Sequence, residues 1–274
     1  SIMDEILRNI TAELEAVSPE EVKMGLRTCD PLPSPKALEN IIELVKAVIF
    51  PRYFGGAAGI GKDIANLYGL LLPQTGSAIA EAFIKKLPEI KKLLLSDIEA
   101  IAHNDPAVKS FSEVVFCYPA IQVMIHHRTA HALLELGTPV IPRIIAEMAH
   151  SATGIDIHPA AQIGAWFCID HGTGVVIGET CVIGDHVMLY QGVTLGARNF
   201  KYDADGNPLQ IPRHPILEDN VTVYSGTSIL GRVTIGHDSV IGGNIWLTHD
   251  VPPHTRLLQS KAVSVPEFSD GEGI

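Results

Sequence analysis

Ile157-His-Pro-Ala-Ala-Gln-Ile163-Gly-Ala-Trp-Phe-Cys-Ile169 opens a stretch in which one aliphatic residue returns at nearly every sixth position. Two residues are then inserted, and the count continues through Ile177, Ile183, Leu189 and Leu195. After a polar interruption it resumes at Leu217, Val223, Ile229, Ile235, Ile241 and Leu247. Gly follows several of these residues, as in Ile163-Gly164, Ile177-Gly178, Ile183-Gly184 and Ile241-Gly242. A period of six fits neither a helix nor an open strand. Short strands joined by tight turns produce it, each hexapeptide forming one side of a triangular coil. The aliphatic residue then points inward and stacks on its counterpart in the next coil, and the small residue after it lets the backbone turn the corner. The stretch predicts a parallel β-helix.

Upstream of it the chain reads as helical. Apolar and acidic residues alternate at helical spacing over 3–17, and Ser18-Pro19-Glu20-Glu21 reads as an N-cap opening a second helix. Another begins at Ser34-Pro35 and runs toward Tyr53, and helices are expected over 63–72, 77–87, 88–103, 119–136 and 139–149, with Gly or Pro at nearly every junction. The expected class is α+β: an α-helical domain over 1–150, a β-helix over 151–256 and a tail over 257–274. Gly56-Ala-Ala-Gly-Ile-Gly61-Lys62 has the spacing of a phosphate-binding loop. Asp63 follows where that motif needs a hydroxyl, and no strand precedes it, so a loop between helices is expected.

With 274 residues the chain can bury a large core. Its net charge of −11 argues against nonspecific nucleic-acid or anionic-membrane binding. No apolar run approaches the length of a bilayer span, and no signal-peptide pattern opens the chain. Cys29, Cys117, Cys168 and Cys181 show neither CxxC pairing nor zinc spacing. A reducing cytoplasm is the simple reading, with no metal expected.

Polar chemistry gathers where the repeat breaks, because a regular coil needs no polar insertions. The breaks are Gly154-Ile-Asp156-Ile-His158-Pro159, then Ile169-Asp170-His171-Gly172-Thr173-Gly174, then the long loop from Ala197 to Pro215 that ends in Arg213-His214-Pro215. His171 has Asp170 beside it and Asp156 about one coil upstream, a setting that suits a general base. Arg213 offers a planar fork that matches a carboxylate. A buried structural histidine and a solvated loop are the alternatives these residues alone leave open.

Taken with Asn104-Asp105-Pro106-Ala107, Val193-Thr194-Leu195-Gly196 and Pro252-Pro253-His254-Thr255, these blocks make the chain resemble the serine O-acetyltransferases over about 105–255. The resemblance implies a left-handed β-helix, trimers with active sites between subunits, and hexamers formed from pairs of trimers through the N-terminal helices. It implies that His171 is the base, oriented by Asp156, and that the serine oxygen attacks acetyl-CoA directly. Asp105 and Asp170 would hold the serine ammonium, Arg213 and His214 its carboxylate, while Gly196, Ala197, Ser225 and Gly243 would line the acetyl-CoA groove. Cysteine, which shares these groups with serine, would be a feedback inhibitor. The acidic tail ending at Ile274 resembles the segment that enters the active site of O-acetylserine sulfhydrylase.

Three departures from the family pattern stand out: the longer loop over 197–212, Tyr224 at a corner that usually carries a small residue, and Leu257-Leu258-Gln259-Ser260-Lys261 in place of Gly-x-Pro-Ala. They bear on acetyl-CoA contact and leave the serine-site residues untouched. Rival readings are a hexapeptide-repeat O-acetyltransferase acting on a sugar or homoserine, a β-helical carbonic anhydrase with three histidines on a metal, and a non-catalytic scaffold.

Overall fold

A computed structural model describes residues 1–26 and 32–265. The first compact unit covers Ser1–Ser34 and the second begins at Pro35. In the first, α1 (Ile2–Glu15) starts with a capping box between Ser1 and Asp4. Helix α2 (Pro19–Met24) is capped by Ser18, whose side chain accepts a hydrogen bond from Glu21 N–H at 3.1 Å. Cys29 lies outside the described residues.

The second unit opens with α3 (Pro35–Ile49), α4 (Pro51–Phe54), α5 (Ile60–Thr75), α6 (Ser77–Asn104), α7 (Phe111–Cys117), α8 (Pro119–Glu135) and α9 (Ile141–Thr153). The expected break at Pro88 does not occur: α6 is one helix of 28 residues with that proline inside it. Proline removes one backbone bond, but the buried stripe Phe83, Leu87, Ile90, Leu94, Ile98 and Ile101 runs through it. Burying such side chains contributes on the order of 1.5–3 kcal/mol each, which outweighs the proline. Helix α7, which the sequence pattern did not reveal, starts at Ser110, whose hydroxyl accepts from Glu113 N–H at 3.2 Å. At 56–62 the chain turns into α5, and Gly56 N–H donates to Asp63 Oδ2 at 2.9 Å.

Helix α9 ends at Gly154 in the left-handed region (φ 72°), and the left-handed parallel β-helix begins. Face A stacks β1 (Asp156–Ile157), β4 (Val176–Ile177), β7 (Thr194–Gly196), β10 (Ser228–Leu230) and β13 (Trp246–Leu247). Face B stacks β2 (Gln162–Ile163), β5 (Val182–Ile183), β8 (Ile216–Leu217) and β11 (Thr234–Ile235). Face C stacks β3 (Cys168–Asp170), β6 (Met188–Tyr190), β9 (Thr222–Val223), β12 (Val240–Ile241) and β14 (Arg256–Leu257). All pairings among these strands are parallel and join repeat residues directly: Ile157 with Ile177, Ile177 with Leu195, Ile229 with Leu247. Leu195 also pairs with Ile229, so the loop between them leaves the stack and returns to it without disturbing the register. Within that loop Leu209 N–H donates to Lys201 O, and the Asp203 carboxylate accepts from the backbone of Asp205 and Asn207.

Every repeat residue is buried except Ile163, which is half-buried beside the helices. There Arg128 of α8 donates to both carboxylate oxygens of Asp97 on α6, at 2.8 and 2.9 Å, and to the carbonyls of Ile163 and Gly164. Asp97 also accepts from Phe167 N–H at 3.1 Å, and Ser96 Oγ accepts from Trp166 N–H. Burial pushes the Asp97 carboxyl upward, and the Arg128 guanidinium and the Phe167 N–H oppose it. This pair fastens two helices to the first coil. Among the described residues no helix is long and apolar enough to cross a membrane.

Candidate active site

The corner between faces C and A carries one group of the residues singled out in the sequence. His171 adopts a left-handed backbone conformation (φ 57°) and is 72% exposed at its side chain, with Nε2 3.7 Å from Asp170 Oδ1. Such strained turns persist where the surroundings fix them: here Gly172 packs so tightly that an added Cβ would meet Ile155 and Ile169. Asp105 caps the end of α6, accepting from Ala107 N–H at Oδ1 and from the Tyr118 hydroxyl at Oδ2, 2.9 Å away. Burial, the bond to Asp105 and the charges of Asp105, Glu113 and Asp170 hold the Tyr118 phenol at about 12. Tyr118 therefore lies where Asp105 of the helical half and Asp170 of the β-helix are both felt. Farther up the corner, Asp170 pairs in register with Tyr190, whose ring stacks on Tyr224 at 4.8 Å. Ser225 follows, with Gly243 one coil on; a Cβ on Gly243 would stand 2.9 Å from Ser225 O.

The corner between faces A and B carries the other group. His214 is buried, its Nδ1 bonded to Thr180 N–H at 3.1 Å and to Thr180 Oγ1 at 2.8 Å. Burial first, then the Arg213 charge, pushes its pKa down to about 4. The ring is therefore neutral near pH 7, and with Nδ1 accepting, its proton sits on Nε2. Thr180 Oγ1 accepts from the backbone N–H groups of Arg213 and His214. Arg213 Nη1 lies 3.4 Å from Glu179 Oε1, and His158 Nε2 lies 3.6 Å from Glu179 Oε2. Burial and then the Arg143 charge lower the His158 pKa. Arg232 donates to the carbonyls of Thr180 and His214. Gly196 ends β7 at this corner, its carbonyl accepting from Gly231 N–H at 2.9 Å, and Ala197 opens the long loop.

Asp156 stands on β1, half-buried, 3.9 Å from His150 Nδ1, and Glu147 holds the same nitrogen at 3.1 Å. Among the described residues no hydrogen bond or ion pair joins Asp156 to His171. The structure thus places Asp105, Asp170, His171, Ser225 and Gly243 at one corner and Gly196, Ala197, Arg213 and His214 at another. One side of the coil, roughly 15–20 Å at the rise of a strand, separates them. The first corner offers carboxylates and an exposed imidazole; the second offers a guanidinium and an N–H donor. Glu179, Thr180, Arg232 and Tyr118 shape these groups and were missed, because each fits the repeat or a helix end as an ordinary polar residue. Ile274 lies outside the described residues. Cys117 is a free exposed thiol; Cys168 and Cys181 are free and buried, and burial holds both at about 12.

No protein-family model matches the chain. A curated relative, the plasmid serine acetyltransferase of Synechococcus elongatus, is 45% identical over 277 residues, covering 89% of this chain and 86% of that protein. Serine acetyltransferase isoform 3 of Entamoeba histolytica, solved in complex with cysteine, superposes with a TM-score of 0.74 at 34% identity over 84% of each chain. Serine acetyltransferase of Brucella abortus, solved in complex with coenzyme A, gives a TM-score of 0.61 at 25% identity, covering 85% of this chain and 82% of that one.

Proposed function

This chain belongs to the serine acetyltransferase family, acyltransferases that move the acetyl group of acetyl-CoA to the hydroxyl of L-serine, and from that premise we propose how its residues divide the work. His171 takes the proton of the serine hydroxyl, and the oxygen attacks the thioester carbonyl carbon. The tetrahedral species collapses by breaking the C–S bond. The leaving CoA thiolate takes the proton back from the imidazolium, so O-acetylserine and CoA are released and no acyl-enzyme forms. Asp105 and Asp170 pair with the serine ammonium. Arg213 pairs with its carboxylate, and neutral His214 donates Nε2–H to it. Gly196, Ala197, Ser225 and Gly243 line the acetyl-CoA groove.

The separation of the two corners carries this reading: a molecule as small as serine cannot span one side of the coil. The site is therefore built between two copies, the C–A corner of one facing the A–B corner of the next, in a homotrimer. In that arrangement Asp156 of one copy faces His171 of its neighbour and orients it. Trimers pair into hexamers through α1, whose Ile2, Ile6, Leu7, Ile10 and Leu14 form an exposed apolar stripe. The division into a helical part over 1–150, a catalytic β-helix over 151–256 and a tail over 257–274 follows this use. Cysteine, bound in the Entamoeba histolytica relative, competes for the serine pocket here. Ile274 docks into O-acetylserine sulfhydrylase, and the free thiols fit a cytoplasmic setting.

Thiol release from acetyl-CoA tests the assignment. It is expected with L-serine and not with homoserine or a sugar. His171→Ala is expected to lower kcat on the order of a hundredfold or more while acetyl-CoA still binds. Near-normal turnover in that variant would overturn His171 as the base.

A further inference from the structure

The corner between faces B and C carries a left-handed residue in successive coils: Trp166, His186, Asn220, Asp238 and His254, with φ between 51° and 58°. Side chains at equivalent positions of stacked coils lie one strand spacing apart and touch along the column. The Trp166 ring stacks on His186 at 4.6 Å. The Asn220 amide donates to Asp238 Oδ1. Asp238 Oδ2 lies 2.7 Å from His237 Nδ1, and the His237 and His254 rings meet edge to face with centroids 5.0 Å apart. One ligand atom from each of His237, Asp238 and His254 falls within 4.8 Å of the others. The backbone binds the same two coils here, His254 N–H donating to His237 O at 2.9 Å.

We propose that His237, Asp238 and His254 form a binding site for a divalent transition metal of the zinc class, which clips the last coil of the β-helix to the coil before it. Two imidazoles and one carboxylate suit Zn²⁺, Cu²⁺ or Ni²⁺, whereas Ca²⁺ and Mg²⁺ favour oxygen ligands alone. The three side chains are exposed, and metal bonds of about 2.0–2.2 Å would take the place of the His237–Asp238 contact, with water completing the shell. Asn220 supplies the outer hydrogen bond that ligating carboxylates generally receive. A second grouping, Glu147, His150 and Asp156, has similar spacing, but the Arg143 guanidinium already pairs with Glu147 at 3.0 Å. The metal is structural and takes no part in acetyl transfer.

Calorimetric titration of the full chain, free of any histidine tag, with zinc chloride tests the site. One Zn²⁺ per chain is expected, with a rise in Tm, and neither effect with Mg²⁺. His237→Gln and His254→Asn, which suit the local backbone, are expected to abolish both. Asn220→Gly, which keeps all three ligands, is expected to weaken binding about tenfold, and His150→Gln to leave it unchanged. Bound Cu²⁺ is expected to show two equatorial nitrogens by electron paramagnetic resonance, falling to one in each His variant. Absence of binding, binding that survives in the His237→Gln/His254→Asn double variant, or binding lost in His150→Gln would each overturn the proposal.

Discussion

Gly178 carries no side chain because the His214 ring fills the space a Cβ would need. Gly178→Ala is therefore expected to push the ring off Thr180 and misalign its Nε2–H. Serine KM should rise on the order of tenfold, the worth of one hydrogen bond to a charged group, with acetyl-CoA KM nearly unchanged. Unchanged serine KM would mean that the ring does not meet the substrate. Tyr224 makes the opposite case, because it stacks on Tyr190 and stands next to Ser225. Tyr224→Ala should raise acetyl-CoA KM severalfold and spare serine KM; steady-state kinetics with each substrate varied separates the two. At this scale the sequence was legible where residues broke the repeat, as Asp170, His171 and Arg213 do. Glu179 and Thr180 follow Ile177-Gly178 in perfect step with the period, so nothing in the pattern marked them as the frame of the His214 pocket.

Helices α6 and α8 are joined to the first coil by the Asp97–Arg128 pair. Arg128→Met would leave a buried carboxylate without its partner, a loss of about 3–5 kcal/mol. Replacing both residues, as in Asp97→Leu with Arg128→Met, should recover much of that loss, and denaturant unfolding of the two variants compares them directly. A double variant as unstable as the single one would show that the backbone bonds from Arg128 to Ile163 and Gly164 matter more than the pairing. Charges on an amphipathic helix ordinarily face water, so neither residue announced its burial in the sequence. Pro88 misled for a related reason: a local rule for ending helices was overridden by a continuous apolar stripe that only tertiary packing could reward.

For the molecule as a whole the period of six was enough to give the coil, since no other regular backbone repeats that way; the proposed facing of its corners depends on surfaces that the repeat does not encode. Co-expression of His171→Ala with Arg213→Ala chains tests the facing. Each variant alone should be inactive, whereas random mixed trimers contain intact sites and should show about a quarter of normal activity. No recovery would place both groups in one chain's site. Acid should also act globally. His126, His127, His158 and His214 all have folded-state pKa values depressed by burial below 6.5, His214 to about 4. Depressed values mean that the unfolded chain takes up protons first, so Tm should hold above about pH 6.5 and fall as pH drops toward 4. His127→Leu, which removes a buried ring whose Nδ1 has no partner among the described residues, should blunt that fall; an identical pH profile would assign it to the other three. The loop between Leu195 and Leu217 has one more consequence. Strands on either side of it are held by the coils above and below them, and lengthening or cutting a surface excursion costs little in closure entropy. A protease nick near Asp205 should therefore leave two fragments that elute together and keep working: the stack makes the molecule continuous where the chain no longer is.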